Sequence, residues 1–514
     1  MGYISNAYAV RSCRTSLPVI ATALAFSSLL VCFASAAPEA PTNFRVLQLG
    51  PEPTRIAFTW DTAGSAAKYR IYLGDRIEGE STNTSFSHSV LLPDTSYSFD
   101  LKAVDAAGVE SDPVSLDVKT LPIPTIKPTY KVNTILVRYA DFPTAPFTPQ
   151  VAAEEIHGAT GSVNSYYREV SYGKTGIVGD VYGWITLPNN ASHYHTRGQQ
   201  NGLWWGPDTN AIRAAVIDAV PAEALEGVDS IVLFLHGTGD AGYSAGTYKF
   251  LSTRGDWGFR LGGVIHELGH GLARASGGAR LLHPAGWNCP GADVGPNYYN
   301  PTEGGCKAYI YGYEPHDPMG VGTRHFMSYH KWLLGMFEPS NMATADAGAT
   351  YTLEALEVPG SGIKMLKIPL EENYFYFVEY RKPTGLGGSD LVSGSPGYNS
   401  DPIDGILVRL RVGNASSGMS TLLPHDGNSP IVYNPRNSFV DPYRGVEVEV
   451  LSKAGNTAQI RVTRFDPQDR VKKLLKKKIA KVKRALKRAK RNGSNKVRKL
   501  SRKLKKYKKR LRNL

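Results

Sequence analysis

The chain changes its hydrophobic rhythm five times, and each change marks an element boundary. From about residue 38 to 120 short runs of alternating apolar and polar residues recur between turn signals, as in RIAFTW, KYRIYLG and SYSFDLKAVDAAG. Period-two alternation broken by Gly, Asp and Pro predicts short strands and hence a small β-sandwich. LPIPTIKPT (121–129), with three prolines, reads as a stiff linker. In 130–340 the pattern is mixed. KVNTILVRYADF and DSIVLFLHGTG read as buried strands, and TPQVAAEEIHGATGSVNSYYREVSYG as helical. Within GGVIHELGHGLA, Ile265, Leu268 and Leu272 share one helical face while His266 and His270, four apart, share another. KMLKIPL, YFYFVEYR, GILVRLRV, VEVEVLS and AQIRVTR then return to strand patterns, predicting a second all-β domain over 341–465. In 466–514 apolar residues recur at helical spacing, Val471, Leu475, Ile479, Val482 and Leu486, then Val497, Leu500, Leu504, Tyr507, Leu511 and Leu514. NGSN between the two stripes is a turn signal, so the end of the chain is predicted to be a pair of amphipathic helices. No internal repeat is evident, and the whole reads as a multidomain α+β chain.

Length supports this division, since 514 residues with 42% hydrophobic and 10% aromatic content suffice for two to four packed cores. Arg11 and Arg14, an apolar run from Leu17 to Phe33 and then Ala34-Ser35-Ala36 follow the order of a secretory leader, with cleavage expected after Ala36 (1–36). A lipid-anchored reading through Cys32 is weakened by the bulky Val31 before it. No other stretch is apolar for the ~18 residues that a membrane span needs. Cleavage removes Cys13 and Cys32, leaving Cys289 and Cys306, which an oxidising compartment would join; two buried thiols are the alternative. The net charge of +14 is an average over two unlike parts. Of 59 basic residues, 24 lie in 470–514, where there is no acid, and two lie in the leader; against 45 acidic residues, the body between is about twelve charges negative. A mildly acidic body therefore carries a cationic tail, expected to hold the protein on an anionic surface polymer or lipid. A leader would put that tail outside the cell, so no physiological nucleic-acid partner is expected.

His266, Glu267 and His270 form HExxH, the zinc-peptidase signature. Two imidazoles one helical turn apart reach a single Zn²⁺, and the intervening carboxylate stands beside the open coordination position, where it acts as general base. Zinc enzymes need a third protein ligand. In HExxHxxGxxH sites the helix breaks at the glycine and the last histidine follows, but here Ala273 and Ser276 occupy those positions. A helix stop comes later, at SGG (276–278), and the next histidine is His283. Asp293, Glu303, His316 and His325 compete with it; Asp293 is the strongest competitor, because a carboxylate also binds zinc, although GADVGPN reads equally well as a turn.

Two resemblances sharpen these expectations. Trp60, Tyr69, Tyr72 and LLPDTSYSFDLKAVDAAGVES make 38–120 resemble a fibronectin type III domain. SVNSYYREVSYGKTGIVGDVYGWITLP, the HELGH helix, LLHPAGWNC, EPHDPMG and HFMSYHKWLLGM, in this order over about 210 residues, resemble the gametolysin-type metallopeptidases and their bacterial relatives. The resemblance implies zinc ligands at His266 and His270, the base at Glu267, and a methionine turn at Met319 whose side chain floors the imidazoles. It implies His283 as third ligand once seven residues are inserted after His270, with Trp287 and Cys289 trailing it. The expected function is a secreted zinc endopeptidase acting on extracellular or cell-surface proteins and peptides. The competing expectation, prompted by Ser276 and the fibronectin-like module, is an inactive surface-binding or adhesion protein on a peptidase scaffold.

Overall fold

The computed structural model describes residues 37–512 apart from 49, 90, 240–241, 254–260, 276–280, 282–284, 289–306, 310–315, 321–323, 372–373, 385–402, 415–417, 427–428, 431, 442 and 492–496. The expected leader, Ser276, His283, Cys289, Asp293, Glu303, Cys306 and the NGSN turn lie outside the described residues.

The first alternating region forms two packed sheets. Thr42–Val46, Ile56–Asp61 and Ser85–His88 make one, and Arg76–Ser81, Lys68–Leu73, Ser96–Val104 and Val114–Lys119 the other. Successive residues of a strand point to opposite faces, so Ile56, Phe58 and Trp60 meet Tyr69, Ile71, Phe99 and Leu101 in the core between the sheets. Phe58 and Phe99 stack edge-on with ring centroids 4.9 Å apart, and Trp60 and Tyr69 at 5.2 Å. This module is no free spacer. Its Leu92 and the linker's Ile126 join the buried cluster of the next unit. Gly335, at φ +72°, lets the linker approach so closely that a Cβ there would stand 2.7 Å from the Pro124 carbonyl.

The second unit is built on a sheet in the order Val181–Thr186, Thr129–Arg138, Ser230–Leu235, Tyr248–Ser252, Tyr243–Ala245. Pairing is parallel until the last strand, which runs antiparallel to Tyr248–Ser252. All six residues of Ser230–Leu235 are buried, as expected of a strand covered on both faces. Val232 and Phe234 face the helices Pro149–His157, Val163–Val170 and Leu261–Ala275. Ile231, Leu233 and Leu235 face the helix Thr209–Ala219.

The third unit pairs a large sheet with a smaller one. The large sheet runs Lys307–Tyr309, Ala285–Asn288, Gly418–Asp426, Gly405–Asn414, Tyr374–Arg381, Met365–Glu371, Met342–Thr344, and Thr350–Glu354, Thr457–Arg464, Val446–Ala454 and Ser438–Asp441 form the other. Two of these strands lie before residue 340, and Ala285 pairs in parallel opposite Leu422. The backbone ladder thus crosses the boundary expected between 340 and 341. Tyr374–Arg381 is buried along its whole length. Tyr376, Val378 and Tyr380 fill the space between the two sheets, while Phe375 and Phe377 pack into the core of the second unit.

The tail is helical over Pro467–Arg491 and Val497–Arg512, and the two helices pack on each other. Among the described residues no helix is long and apolar enough to cross a membrane.

Candidate functional site

HExxH lies in the helix Leu261–Ala275. Val264, Ile265, Leu268 and Leu272 anchor it in the buried core, and Tyr167 donates its hydroxyl proton to the Ile265 carbonyl at 3.1 Å. Glycine weakens a helix by about 1 kcal/mol relative to alanine, yet Gly269 and Gly271 both lie in this one. Close approach explains them. A Cβ at Gly269 would run into the Met319 sulfur, and one at Gly271 would stand 2.8 Å from Lys249 Nζ. The helix is clasped between the methionine of the DPMG turn and a buried lysine of the sheet.

His266 and His270 lie one turn apart, with ring centroids 5.0 Å apart and planes at 81°. His266 Nδ1 is 2.7 Å from the Pro318 carbonyl, and His270 Nδ1 is 2.8 Å from the Leu281 carbonyl. A carbonyl only accepts, so each Nδ1 carries the proton it donates. That is the tautomer a metal-ligating histidine adopts when its other nitrogen is held by a backbone oxygen. Two imidazoles held in this way are nitrogen donors of the kind Zn²⁺ accepts. Glu267 is 6% exposed and lies against Gly242, where an added Cβ would stand 2.7 Å from its Cγ. Gly242 immediately precedes the sheet-edge strand Tyr243–Ala245, so the carboxylate sits beside that edge.

Of the competing ligands, His325 is committed elsewhere. Its Nε2 lies 3.0 Å from Glu169 Oε1 and its Nδ1 3.0 Å from Lys331 Nζ; burial, then the lysine's charge, lowers its pKa. His316 is buried, and its backbone carbonyl accepts from Arg381 at 3.1 Å. Among the described residues no group of three His, Cys, Asp or Glu side chains is gathered to hold a metal. The chain does return to the site after the motif helix, because the Leu281 carbonyl that holds His270 lies two residues before His283.

Beneath the methionine turn lies a cluster of buried charges that motif reading passed over. Asp317 accepts Met319 N–H at 2.7 Å and Met327 N–H at 2.6 Å, and both its oxygens lie 3.0 Å from His330 Nδ1. Burial alone would raise its pKa, but His330 and these hydrogen bonds outweigh burial and hold it below the ordinary carboxylate range. From the third unit, Arg381 reaches Glu357 at 2.6 Å, Glu379 at 3.3 Å and the carbonyls of His316 and His325 at 3.1 Å each. One guanidinium thus grips the chain on both sides of Met319. Glu379 accepts Ser328 N–H at 2.7 Å, at the start of the helix Ser328–Leu333, and lies 3.3 Å from Arg409 Nε. The sequence did carry a signal, since Glu379 and Arg381 continue the alternate positions occupied by Phe375 and Phe377.

No known family profile and no curated protein matches this chain. Among solved structures, the chain is similar to FN3tt, with 23% identity, 17% of this chain and 97% of that one covered, and a TM-score of 0.16. It is similar to the fibronectin type III domain of human fibronectin type III domain containing protein 3, with 16% identity, coverage of 17% and 90%, and a TM-score of 0.15. A third is an Fn3-like protein from Clostridium thermocellum, with 21% identity, coverage of 16% and 92%, and a TM-score of 0.14. These comparisons give no evidence for a gametolysin-type peptidase, and that resemblance rests on the motifs alone.

Proposed function

We propose that the chain is a secreted zinc-dependent endopeptidase of extracellular or cell-surface proteins and peptides. The observation that supports this reading is the pair of Nδ1 to carbonyl hydrogen bonds, which fix the ring orientations of two imidazoles one turn apart on the motif helix. His266 and His270 would hold the metal, with His283 as third ligand. Zinc, when bound, acidifies a water and polarises the scissile carbonyl. Glu267 takes the proton of the attacking water and delivers it to the leaving amine, so no covalent intermediate is needed. Its burial against Gly242 limits its rotamers and keeps it beside the sheet edge. An extended substrate laid along Tyr243–Ala245 would continue the sheet by main-chain hydrogen bonds and pass in front of that carboxylate.

Ser276 in the place of a third histidine favours a second reading, an inactive surface-binding or adhesion protein. Metal analysis combined with casein hydrolysis separates the two. The expected result is stoichiometric zinc and hydrolysis in the natural chain, and zinc without hydrolysis in Glu267→Gln. Zinc without hydrolysis in the natural chain supports the second reading. Hydrolysis that survives Glu267→Gln overturns the role given to the carboxylate.

A further inference from the structure

We propose that the C-terminal helical hairpin is a docking module for a linear acidic polysaccharide. From 470 onward the chain holds sixteen Lys and eight Arg with no acid, beside a body about twelve charges negative. Two occupants suit so cationic a segment at a cell surface, an anionic bilayer and an anionic polymer, and the packing of the hairpin decides between them.

A helix that lies in a membrane interface buries an exposed apolar face among the acyl chains. Here the two helices pack on each other, and among the described side chains the larger apolar ones are buried or half-buried. Ile479 and Val482 are 8% exposed, and Leu486, Leu500, Leu504 and Tyr507 are half-buried, whereas the Lys and Arg around them are exposed. Each helix uses its partner as the apolar surface a bilayer would have supplied, and insertion would require the hairpin to open. Among the described residues, the exposed surface of the hairpin is mostly Lys and Arg. Lys477, Lys481, Arg484 and Arg488 are exposed along the longer helix, as are Lys505 and Lys506 on the shorter one.

The longer helix has 25 residues, hence a length of about 38 Å at 1.5 Å per residue. That is a cationic rod matched to an extended polymer. Lysine outnumbers arginine two to one, and its ammonium is a hydrated point charge that pairs with carboxylate or sulfate without demanding a fixed planar geometry. Base recognition would call for stacking aromatics, and the sole aromatic after residue 466 is the half-buried Tyr507. The negative body repels the same polymer, which confines binding to the tail and leaves the sheet-edge site clear. The inference rests on the extracellular location given in the proposed function but not on its chemistry, because charge and packing of the tail make no use of the motif helix.

The test uses the full chain carrying Glu267→Gln, so that no cleavage intervenes, with heparin as probe. Neutral dextran, phosphatidylserine vesicles and duplex DNA serve as the other arms. Heparin is expected to bind, dextran not, and affinity to fall about 100-fold between roughly 0.05 and 0.5 M NaCl as counterions compete. A chain ending at Asp466 is expected to lose binding. A full-length chain with Lys477, Lys481, Arg484 and Arg488 all changed to Glu should weaken at least tenfold while keeping its helical circular dichroism, which separates lost charge from lost fold. Heparin retained by the truncated chain, or binding indifferent to salt, overturns the proposal. Displacement of heparin by vesicles or by DNA at a tenfold lower charge concentration overturns the choice of polysaccharide.

Discussion

Replacing Arg381 with Met tests whether the C-terminal sheet holds the candidate site in place. Arg381 is 2% exposed and comes from a strand that belongs to the third unit, yet it binds the His316 and His325 carbonyls on both sides of the Met319 turn. Methionine keeps an unbranched apolar stem, so the loss is chiefly of charge and hydrogen bonds. Two carboxylates are then left buried. Glu357 keeps the Lys382 N–H at 2.8 Å, and Glu379 keeps Arg409 and Ser328. Removing one partner of a buried ion pair costs about 3–5 kcal/mol, and two carbonyls losing a donor cost about 1 kcal/mol each. Neighbouring losses do not add, so the expected total is about 4 kcal/mol. With a denaturant slope of about 2–3 kcal/mol per molar, that lowers the urea midpoint by roughly 1–2 M. Pro318, inside the loosened turn, orients His266, so zinc retention against a competing chelator should weaken even where the protein remains folded. Arg381→Lys should fall between the two, because one ammonium cannot span four acceptors in a planar fork. An Arg381→Met chain with an unchanged urea midpoint and unchanged zinc retention refutes the reasoning, because the third unit would then not hold the site in place.

Three further outcomes are expected. Gly242→Ala places a Cβ 2.7 Å from Glu267 Cγ and should slow peptide hydrolysis about 100-fold, the effect of a misplacement of about 1 Å, while zinc content stays normal; an unchanged kcat shows that the carboxylate needs no such backing. His283→Ala should lower metal content, whereas His316→Ala and His325→Ala should leave it near that of the natural chain; metal stripped by Asp293→Ala alone would give the third ligand to Asp293. Asp317 and Glu379 are both held below the ordinary carboxylate range, each by charges and hydrogen bonds that outweigh its burial. A lowered folded-state pKa gives stability that is present above the unfolded-state value of about 4 and is lost as pH falls through the folded-state value. Urea midpoints should therefore be level above about pH 5 and drop below about pH 4, and Glu379→Gln, less stable at neutral pH, should show the shallower acid loss; parallel curves would remove Glu379 from the account.

Local periodicity was legible where its cause is local. Alternation predicted the N-terminal sandwich because one face of each strand is buried, and Phe58, Trp60, Tyr69 and Phe99 meet where that alternation sends them. The helical spacing of Ile265, Leu268 and Leu272 likewise predicted the buried face that turns His266 and His270 together. In the tail, spacing predicted two helices but left open whether their stripes met each other or a membrane; helix-on-helix packing is a tertiary choice. The parallel pairing of Ala285–Asn288 with Gly418–Asp426 leaves no periodic trace, because its partners are so distant along the chain. For a related reason, Glu379 and Arg381 are not singled out by the sequence. Alternation puts them on the face of Phe375 and Phe377, but only the fold reveals that opposing charges await them there. His283, Cys289 and Cys306 remain expectations from spacing and resemblance, outside the described residues.

These observations bear on why a helix so poor in intrinsic propensity carries the motif. Stiffness cannot come from a stretch with glycines at 262, 263, 269 and 271; at about 1 kcal/mol each, they weaken it by about 4 kcal/mol relative to alanine. Position comes instead from contacts on three sides: the apolar core under Ile265 and Leu268, the Met319 sulfur at Gly269, and Lys249 at Gly271. Met319 is itself held through Asp317, His330 and the Arg381 fork, so the last of these contacts to be secured comes from the C-terminal sheet. Glycine permits the close approach, and the buried charges supply the directional bonds that apolar packing lacks. Imidazole orientation at His266 consequently depends on residues more than a hundred positions away, through the Pro318 carbonyl and the turn that Arg381 grips. The geometry of the site is thus a property of the joined second and third units, and neither supplies it alone.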